Sequence, residues 1–231
     1  MKKQRIILFD IDGTLLLTGG AGTAGLEKAF LELFGIENAS DGLQPHGMTD
    51  RLIIREIALK HLGRPISEEE LATISRSYLN HFAVEIQRAP RFRVLAGVVE
   101  LVRELSVRED TALGIQTGNF EHSARLKLET GKLAQFFSFG GYGSDSHDRG
   151  EIVQTAIARA RQLYDLCAEE VEDRIVVIGD APQDILAGAA AGARTIAVAT
   201  GASSEAQLAA LGPDHVLADL SDTRAVLSLL E

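Results

Sequence analysis

The chain of 231 residues has one cysteine, Cys167, and no tryptophan. A single thiol forms no intrachain disulfide, which excludes a disulfide-stapled scaffold. Cys167 itself reads as a small residue, buried or half-buried, near the end of a helix, rather than as a nucleophile. Aromatic residues make up 5% of the chain, too few for a platform on which successive bases stack. Positive charge is also short: 23 Lys and Arg against 33 Asp and Glu leave a net charge of −10. That average field repels a nucleic acid but does not exclude a small anion, which meets local groups rather than the mean. Long apolar runs are missing too. The least polar stretch, Ile185 to Ala202, contains Arg194 and is rich in Gly and Ala. A membrane span needs ~20 strongly apolar residues, so this stretch reads as helix, turn, strand. The start, MKKQRIILFD, is basic, but its apolar run ends at Asp10, short of the ~7–15 apolar residues of a secretory leader. The expectation is a soluble, cytoplasmic protein with neither a nucleic-acid nor a membrane partner.

What is present is ordinary globular material, with 45% hydrophobic and 24% charged residues and no repeat or low-complexity segment. At ~150 residues per domain, the length suits one core carrying a smaller insert. Short apolar runs at Arg5–Phe9, Thr111–Gln116, Arg174–Ile178, Thr195–Ala199 and His215–Leu217 read as strands buried on both faces. Helical stripes lie between them, among them Val98, Leu101, Val102, Leu105 and Ile152, Ala156, Ile157, Ala160, Leu163. This rhythm predicts an α/β fold around a parallel sheet. The region from Leu17 to Ala89 departs from it. Leu26, Ala29, Phe30 and Leu33 have helix spacing, as do Ile53, Ile54, Ile57, Ala58 and Leu62. Ser67 and Glu70 form a capping-box pattern that starts a third helix running towards Ile86.

The strongest chemical signal is Phe9-Asp10-Ile11-Asp12-Gly13-Thr14. Two carboxylates two residues apart lie on the same side of an extended chain, and Gly13 permits a tight turn just beyond them. They fall at the C-terminal end of a buried strand, where open α/β sheets bind ligands. Alone, this is no more than a charged turn. Thr117-Gly118-Asn119 ends a second strand, and Gly179-Asp180-Ala181-Pro182-Gln183-Asp184 ends another, with Arg149 at a helix start between them. In the helical region, Thr49 or Asp50 reads as a helix N-cap, and His46 or Arg51 as a group reaching an anionic part of a ligand. Lys127, flanked by Leu126 and Leu128, reads as a snorkelling surface residue. No pair among the six histidines has zinc-site spacing, and His122 and His147 carry little functional weight.

In this order, the four motifs resemble those of the haloacid dehalogenase superfamily, and the resemblance spans nearly the whole chain. The helical insert is similar to the α-helical cap of phosphoglycolate-phosphatase-like members. The resemblance implies a Rossmann-like core of residues 1–16 and 90–231 with a cap of residues 17–89. It also implies Mg²⁺ dependence and phosphoryl transfer through an aspartyl-phosphate. Asp10 is then the nucleophile and a metal ligand, Asp180 a second ligand, and Asp12 a ligand through its backbone carbonyl and the acid–base through its side chain. Thr117, Gly118 and Asn119 bind the phosphoryl group. Asp184 orients the metal site from behind the ligands, caps the next helix, or does both. Arg149 stands where the superfamily usually has Lys and offsets phosphoryl charge with a planar fork instead of a point charge; Lys127 is the alternative for this cation. Dehalogenases and phosphonatases of the superfamily lack an acid at the position of Asp12, which favours hydrolysis of a small phosphate monoester. Two other readings stay open: a sugar-phosphate mutase of the same superfamily, and a non-catalytic phosphate-binding or regulatory protein. The mutase-type acid shortly after the first motif is missing from Leu15-Leu16-Leu17-Thr18. Retention of both Asp10 and Asp12 argues against the non-catalytic protein.

Overall fold

A computed structural model describes residues 5–167, Val171 and residues 174–230. The basic residues 1–4, on which part of the leader argument rests, lie outside the described residues. In chain order the elements are β1 (Arg5–Phe9), β2 (Leu16–Leu17), α1 (Ala21–Phe34), α2 (Asp50–Leu62), α3 (Glu68–Arg88), β3 (Arg93–Val94) and α4 (Val98–Ser106). Then come β4 (Thr111–Thr117), α5 (Glu121–Thr130), β5 (Phe139–Tyr142), α6 (Arg149–Tyr164), β6 (Ile175–Gly179) and α7 (Pro182–Ala190). β7 (Arg194–Val198), α8 (Glu205–Ala209), β8 (His215–Leu217) and α9 (Thr223–Leu229) complete the chain.

Six strands form one parallel sheet in the order β5-β4-β1-β6-β7-β8. The fold is therefore α/β with a Rossmann-like parallel core. Alternation along β1 explains the layers. Ile7 and Phe9 join the apolar cluster that takes in Leu101 of α4, Leu128 of α5 and Val226 of α9. Ile6 and Leu8 join the opposite cluster, with Val153 and Ala156 of α6 and Ala187 of α7. The five strands read from the sequence are all present, within a residue at their ends. β2, β3 and β5 are additions, and Cys167 is a correction: it is exposed. Among the described residues, no helix is long and apolar enough to cross a membrane.

α1, α2 and α3 follow β2 and precede β3, which pair antiparallel through Leu16↔Val94 and Leu17↔Arg93. The three helices surround an apolar cluster of their own, including Phe30, Ile54, Ile57, Ile74 and Phe82, which Phe120 joins from the start of α5. The Ser67–Glu70 capping box is formed: Glu70 N donates to Ser67 Oγ at 3.2 Å, and Ser67 N donates to Glu70 Oε2 at 2.8 Å. β1 lies between β4 and β6, with Phe9 opposite Ile115 on one side and Ile178 on the other. The chain winds away from β1 in both directions, so the C-terminal ends of these three strands border the switch point where α/β sheets bind ligands.

Candidate active site

Asp10 follows β1, Thr117 ends β4, and Asp180 follows β6, so strand pairing alone brings three of the four motifs together. The backbone N–H of Asp10 donates to Ile178 O at 2.9 Å, which fixes the base of the first motif against β6. Asp10, Asp180 and Asp184 are buried and present one carboxylate oxygen each within 4.8 Å of one another. Burial raises the pKa of Asp10, and repulsion from Asp184 adds to it. Burial likewise raises that of Asp180, with repulsion from Asp10 and Asp184 acting in the same direction. Such a cluster lacks positive charge. Arg149, at the first residue of α6, supplies some of it. Its Nη2 donates to Asp184 Oδ1 and lies 3.3 Å from Asp10 Oδ1. Burial disfavours the guanidinium charge, but Asp184 and Asp10 outweigh that and raise its pKa.

The two later acids differ in what their oxygens do. Asp184 is fully engaged: Oδ1 accepts from Gln116 Nε2 at 3.0 Å and from Arg149, and Oδ2 accepts from the Ala181 N–H at 3.0 Å. It both ties down the start of α7 and braces the cluster. Asp180 accepts from Thr14 Oγ1 at 2.9 Å through Oδ1, while its buried Oδ2 has no hydrogen-bond partner. A buried carboxylate oxygen without a donor is costly. Beside Asp10 it fits a hard, oxygen-seeking divalent cation. The nearest further cationic candidate is His46, whose Nδ1 lies 3.7 Å from that oxygen.

Asp12 is treated differently. Its Oδ2 accepts from Asn119 Nδ2 at 2.7 Å and from Lys127 Nζ at 2.5 Å. Asn119 Nδ2 also donates to Thr117 Oγ1 at 2.7 Å. Asn119 is thus committed to Asp12 and Thr117. The start of α5 is held instead by Asp50 of α2, whose Oδ2 accepts from the Phe120 N–H at 2.8 Å and from Ser123 Oγ at 3.1 Å. The Asp50 N–H in turn donates to Gly118 O at 2.8 Å. The loop before α2 is seated so closely on the second motif that a Cβ on Gly118 would come within 2.6 Å of Met48 O. Burial raises the pKa of Asp50, and the Lys127 charge opposes the shift.

Asp50→Ala is expected to cost about 1–3 kcal/mol, because it leaves the buried Phe120 N–H without its acceptor, while the Ser123 hydroxyl keeps the Phe120 carbonyl at 2.9 Å. In a chain of this size, that lowers the melting temperature by about 2–4 °C per kcal/mol. Turnover should fall as well, since the insert loses its seat on the second motif. An unchanged melting temperature would refute the latch.

Between the helical insert and the sheet lies a cavity of about 530 Å³. Asp10, Asp12, Thr117, Lys127, Arg149 and Asp180 line its sheet side. His46, Met48 and Tyr78 line the insert side. Most of the residues singled out from the sequence therefore converge. Arg51 does not: its Nη2 lies 3.0 Å from Glu68 Oε2, and it is not among the residues that line the cavity. Thr49, not Asp50, caps α2, accepting from the Leu52 N–H at 3.3 Å. Lys127 is the opposite correction. It is 4% exposed and belongs to the site, not to the surface. The signal was its position on α5, whose buried residues are Ser123, Ala124, Lys127 and Leu128. Polar residues on an inward stripe are unusual enough to mark a site. Gln116, the one amide in an otherwise apolar strand end, was missed for the same reason.

Comparison with known proteins agrees with this fold. A HAD-hydrolase-like family model matches residues 150–223. The pyrophosphatase PpaX of Bacillus mycoides is 25% identical, with 98% of each chain covered. Among solved structures, CbbY from Rhodobacter sphaeroides, in complex with phosphate, aligns with a TM-score of 0.74 at 19% identity over 96% of both chains. A haloacid dehalogenase-like family protein from Streptococcus pneumoniae aligns with a TM-score of 0.66 at 19% identity over 98% of both. The ordered motifs and their convergence at the switch point of the sheet, together with these likenesses, support the resemblance to the haloacid dehalogenase superfamily of hydrolases.

Proposed function

We propose that this hydrolase is a Mg²⁺-dependent phosphatase acting on a small phosphorylated metabolite, with residues 1–16 and 90–231 as its core and 17–89 as a cap. The observation that carries the reading is the contrast between two acids two residues apart. Asp10 is buried among carboxylates and a guanidinium, whereas the side chain of Asp12 is 40% exposed on the cavity and held through one oxygen only. Paired acids in unlike surroundings divide into nucleophile and acid–base.

In this scheme an Asp10 carboxylate oxygen attacks phosphorus as the bond to the leaving oxygen breaks, and Asp12 gives that oxygen its proton. Water then attacks phosphorus, Asp12 takes the proton back, and inorganic phosphate leaves the regenerated Asp10. The Thr117 hydroxyl and the backbone N–H groups of Gly118 and Asn119 bind the phosphoryl oxygens, and Arg149 offsets their charge. Asp10 and Asp180, with the Asp12 carbonyl, would hold Mg²⁺, and Asp184 would orient them. Bound there, the ion supplies charge neutralisation between Asp10 and a phosphate dianion. Arg91, Arg93 and Arg149 line the cavity beside Asp10, Asp50 and Asp180, while Lys127 is paired with Asp12, so a phosphate dianion would rely on the bound cation as well as on the arginines. The volume of the cavity suits a metabolite rather than a macromolecule.

The test is phosphate release from a broad panel of phosphate esters, with Mg²⁺ and with EDTA. Inorganic pyrophosphate belongs in the panel because curated relatives bear the name pyrophosphatase. Release that requires Mg²⁺ is expected. No release from any compound would overturn the reading, and isomerisation of a sugar phosphate without release would replace it with the mutase.

A further inference from the structure

We propose that Lys127 is a positioning residue for Asp12: it fixes the carboxyl group that protonates the leaving oxygen, and it does so under a roof supplied by the cap. This rests on the phosphatase reading above. Lys127 Nζ is 2.5 Å from Asp12 Oδ2 and also donates to Asn119 Oδ1. With the two Asn119 bonds to Asp12 and Thr117, this makes one connected network from the second motif to the acid. Two donors converge on Asp12 Oδ2, and no described residue donates to Oδ1. The carboxyl plane is therefore set, and Oδ1 is left for a proton exchanged with the cavity.

A long, flexible lysine ordinarily keeps its ammonium in water, because removing it costs several kcal/mol unless partners replace the hydration. Here the side chain is 5% exposed. The ring of Phe82, itself fully buried, lies 5.7 Å from Nζ. Phe82 belongs to α3, so a helix of the insert covers a lysine of the sheet domain. The negative partners are Asp12 in direct contact and the buried Asp50 acting through space. Seating the insert on the second motif through Asp50 thus also dries the ammonium and strengthens its hold on Asp12. Arg149 does not duplicate this role, since its contacts are Asp10 and Asp184.

A positioning role makes a prediction that a folding role does not. The quantity to measure is kcat/KM, which reports the steps up to loss of the leaving group. Two probes suffice: p-nitrophenyl phosphate, whose phenolate leaves without a proton, and glycerol 1-phosphate, whose alkoxide needs one. Lys127→Met keeps the apolar stem and removes the charge. It should lower kcat/KM for glycerol phosphate by about tenfold or more and leave the aryl ester within about threefold. Lys127→Arg should recover part of the loss on the alkyl ester. In an Asp12→Asn background, Lys127→Met should change the alkyl rate no further, because the lysine acts through that acid. Equal losses on both esters, no loss on either, or an undiminished effect in the Asp12→Asn background would each overturn the proposal. If the wild-type protein releases phosphate from neither ester nor from the wider panel, the phosphatase reading falls and takes this role with it.

Discussion

Asp10→Asn is expected to lower phosphate release by at least about a thousandfold on the best compound of the panel, because an amide does not attack phosphorus. The substitution is isosteric, and the backbone contact that places residue 10, its N–H to Ile178 O at 2.9 Å, is unaffected. Loss of activity should therefore come without loss of fold. The metal-free variant should even melt no lower than the wild type. Asp10, Asp180 and Asp184 crowd three carboxylates around the single guanidinium of Arg149, and a neutral amide relieves that repulsion, while Arg149 keeps Asp184. Mg²⁺ should reverse the ranking. A ligand stabilises by its affinity for the native state, so the ion should raise the wild-type melting temperature more than the variant's. Residual turnover above about a tenth of wild type would remove Asp10 from the nucleophile's role. A variant that is inactive only because it unfolds would show itself in the melt.

How much of this could be read in advance depends on which force decides each element. The strands at Arg5–Phe9 and 111–117 are apolar runs buried on both faces, so hydrophobicity alone marks them. β5, with the sequence FGGY, gives no such mark. Glycine is a poor strand former, yet a Cβ on Gly141 would sit 2.0 Å from Ile152 O of α6. The residue that looks like a strand breaker is what lets a helix lie against the sheet. The site shows the same division. Asp10, Thr117 and Asp180 are legible because each ends a legible strand. Contacts between insert and sheet domain are not, because no local pattern encodes them.

Asp50 and Arg51 illustrate the difference. The buried stripe of α2 is Asp50, Ile53, Ile54, Ile57 and Ala58. Asp50 is in phase with it and Arg51 lies about 100° away. Periodicity points the acid inward and the arginine outward, against the intuition that a cation should meet the phosphate. What the sequence does not tell is that the inward acid lands on the start of α5. That landing places Phe82 over Lys127 and turns a residue with the pattern of a surface lysine into part of the acid's support.

Asp12→Asn should slow turnover of an alkyl phosphate by about a hundredfold to ten-thousandfold, the usual worth of a placed acid–base, and should do so without the metal phenotype of Asp10→Asn. The side chain of Asp12 is held by Asn119 and Lys127 through Oδ2, contacts that an amide oxygen can still accept, so the backbone carbonyl proposed as the ligand should stay in place. Mg²⁺ titrated against the melting temperature should thus give near-wild-type affinity in Asp12→Asn and a clear loss in Asp10→Asn. The two half-reactions should also separate. With p-nitrophenyl phosphate the first step needs no proton, whereas release of the phosphoryl group from Asp10 still needs a base to take one from water. The variant should therefore show a burst of p-nitrophenolate close to one equivalent of enzyme, followed by slow turnover, with phosphate retained covalently on the protein. Equal loss of Mg²⁺ affinity in both variants would contradict the division of labour between the two acids. Steady release without a burst, at a rate within about tenfold of wild type, would move the acid–base role away from Asp12. His46, the cavity-lining imidazole whose Nδ1 lies 3.7 Å from Asp180 Oδ2, would then be the next group to replace.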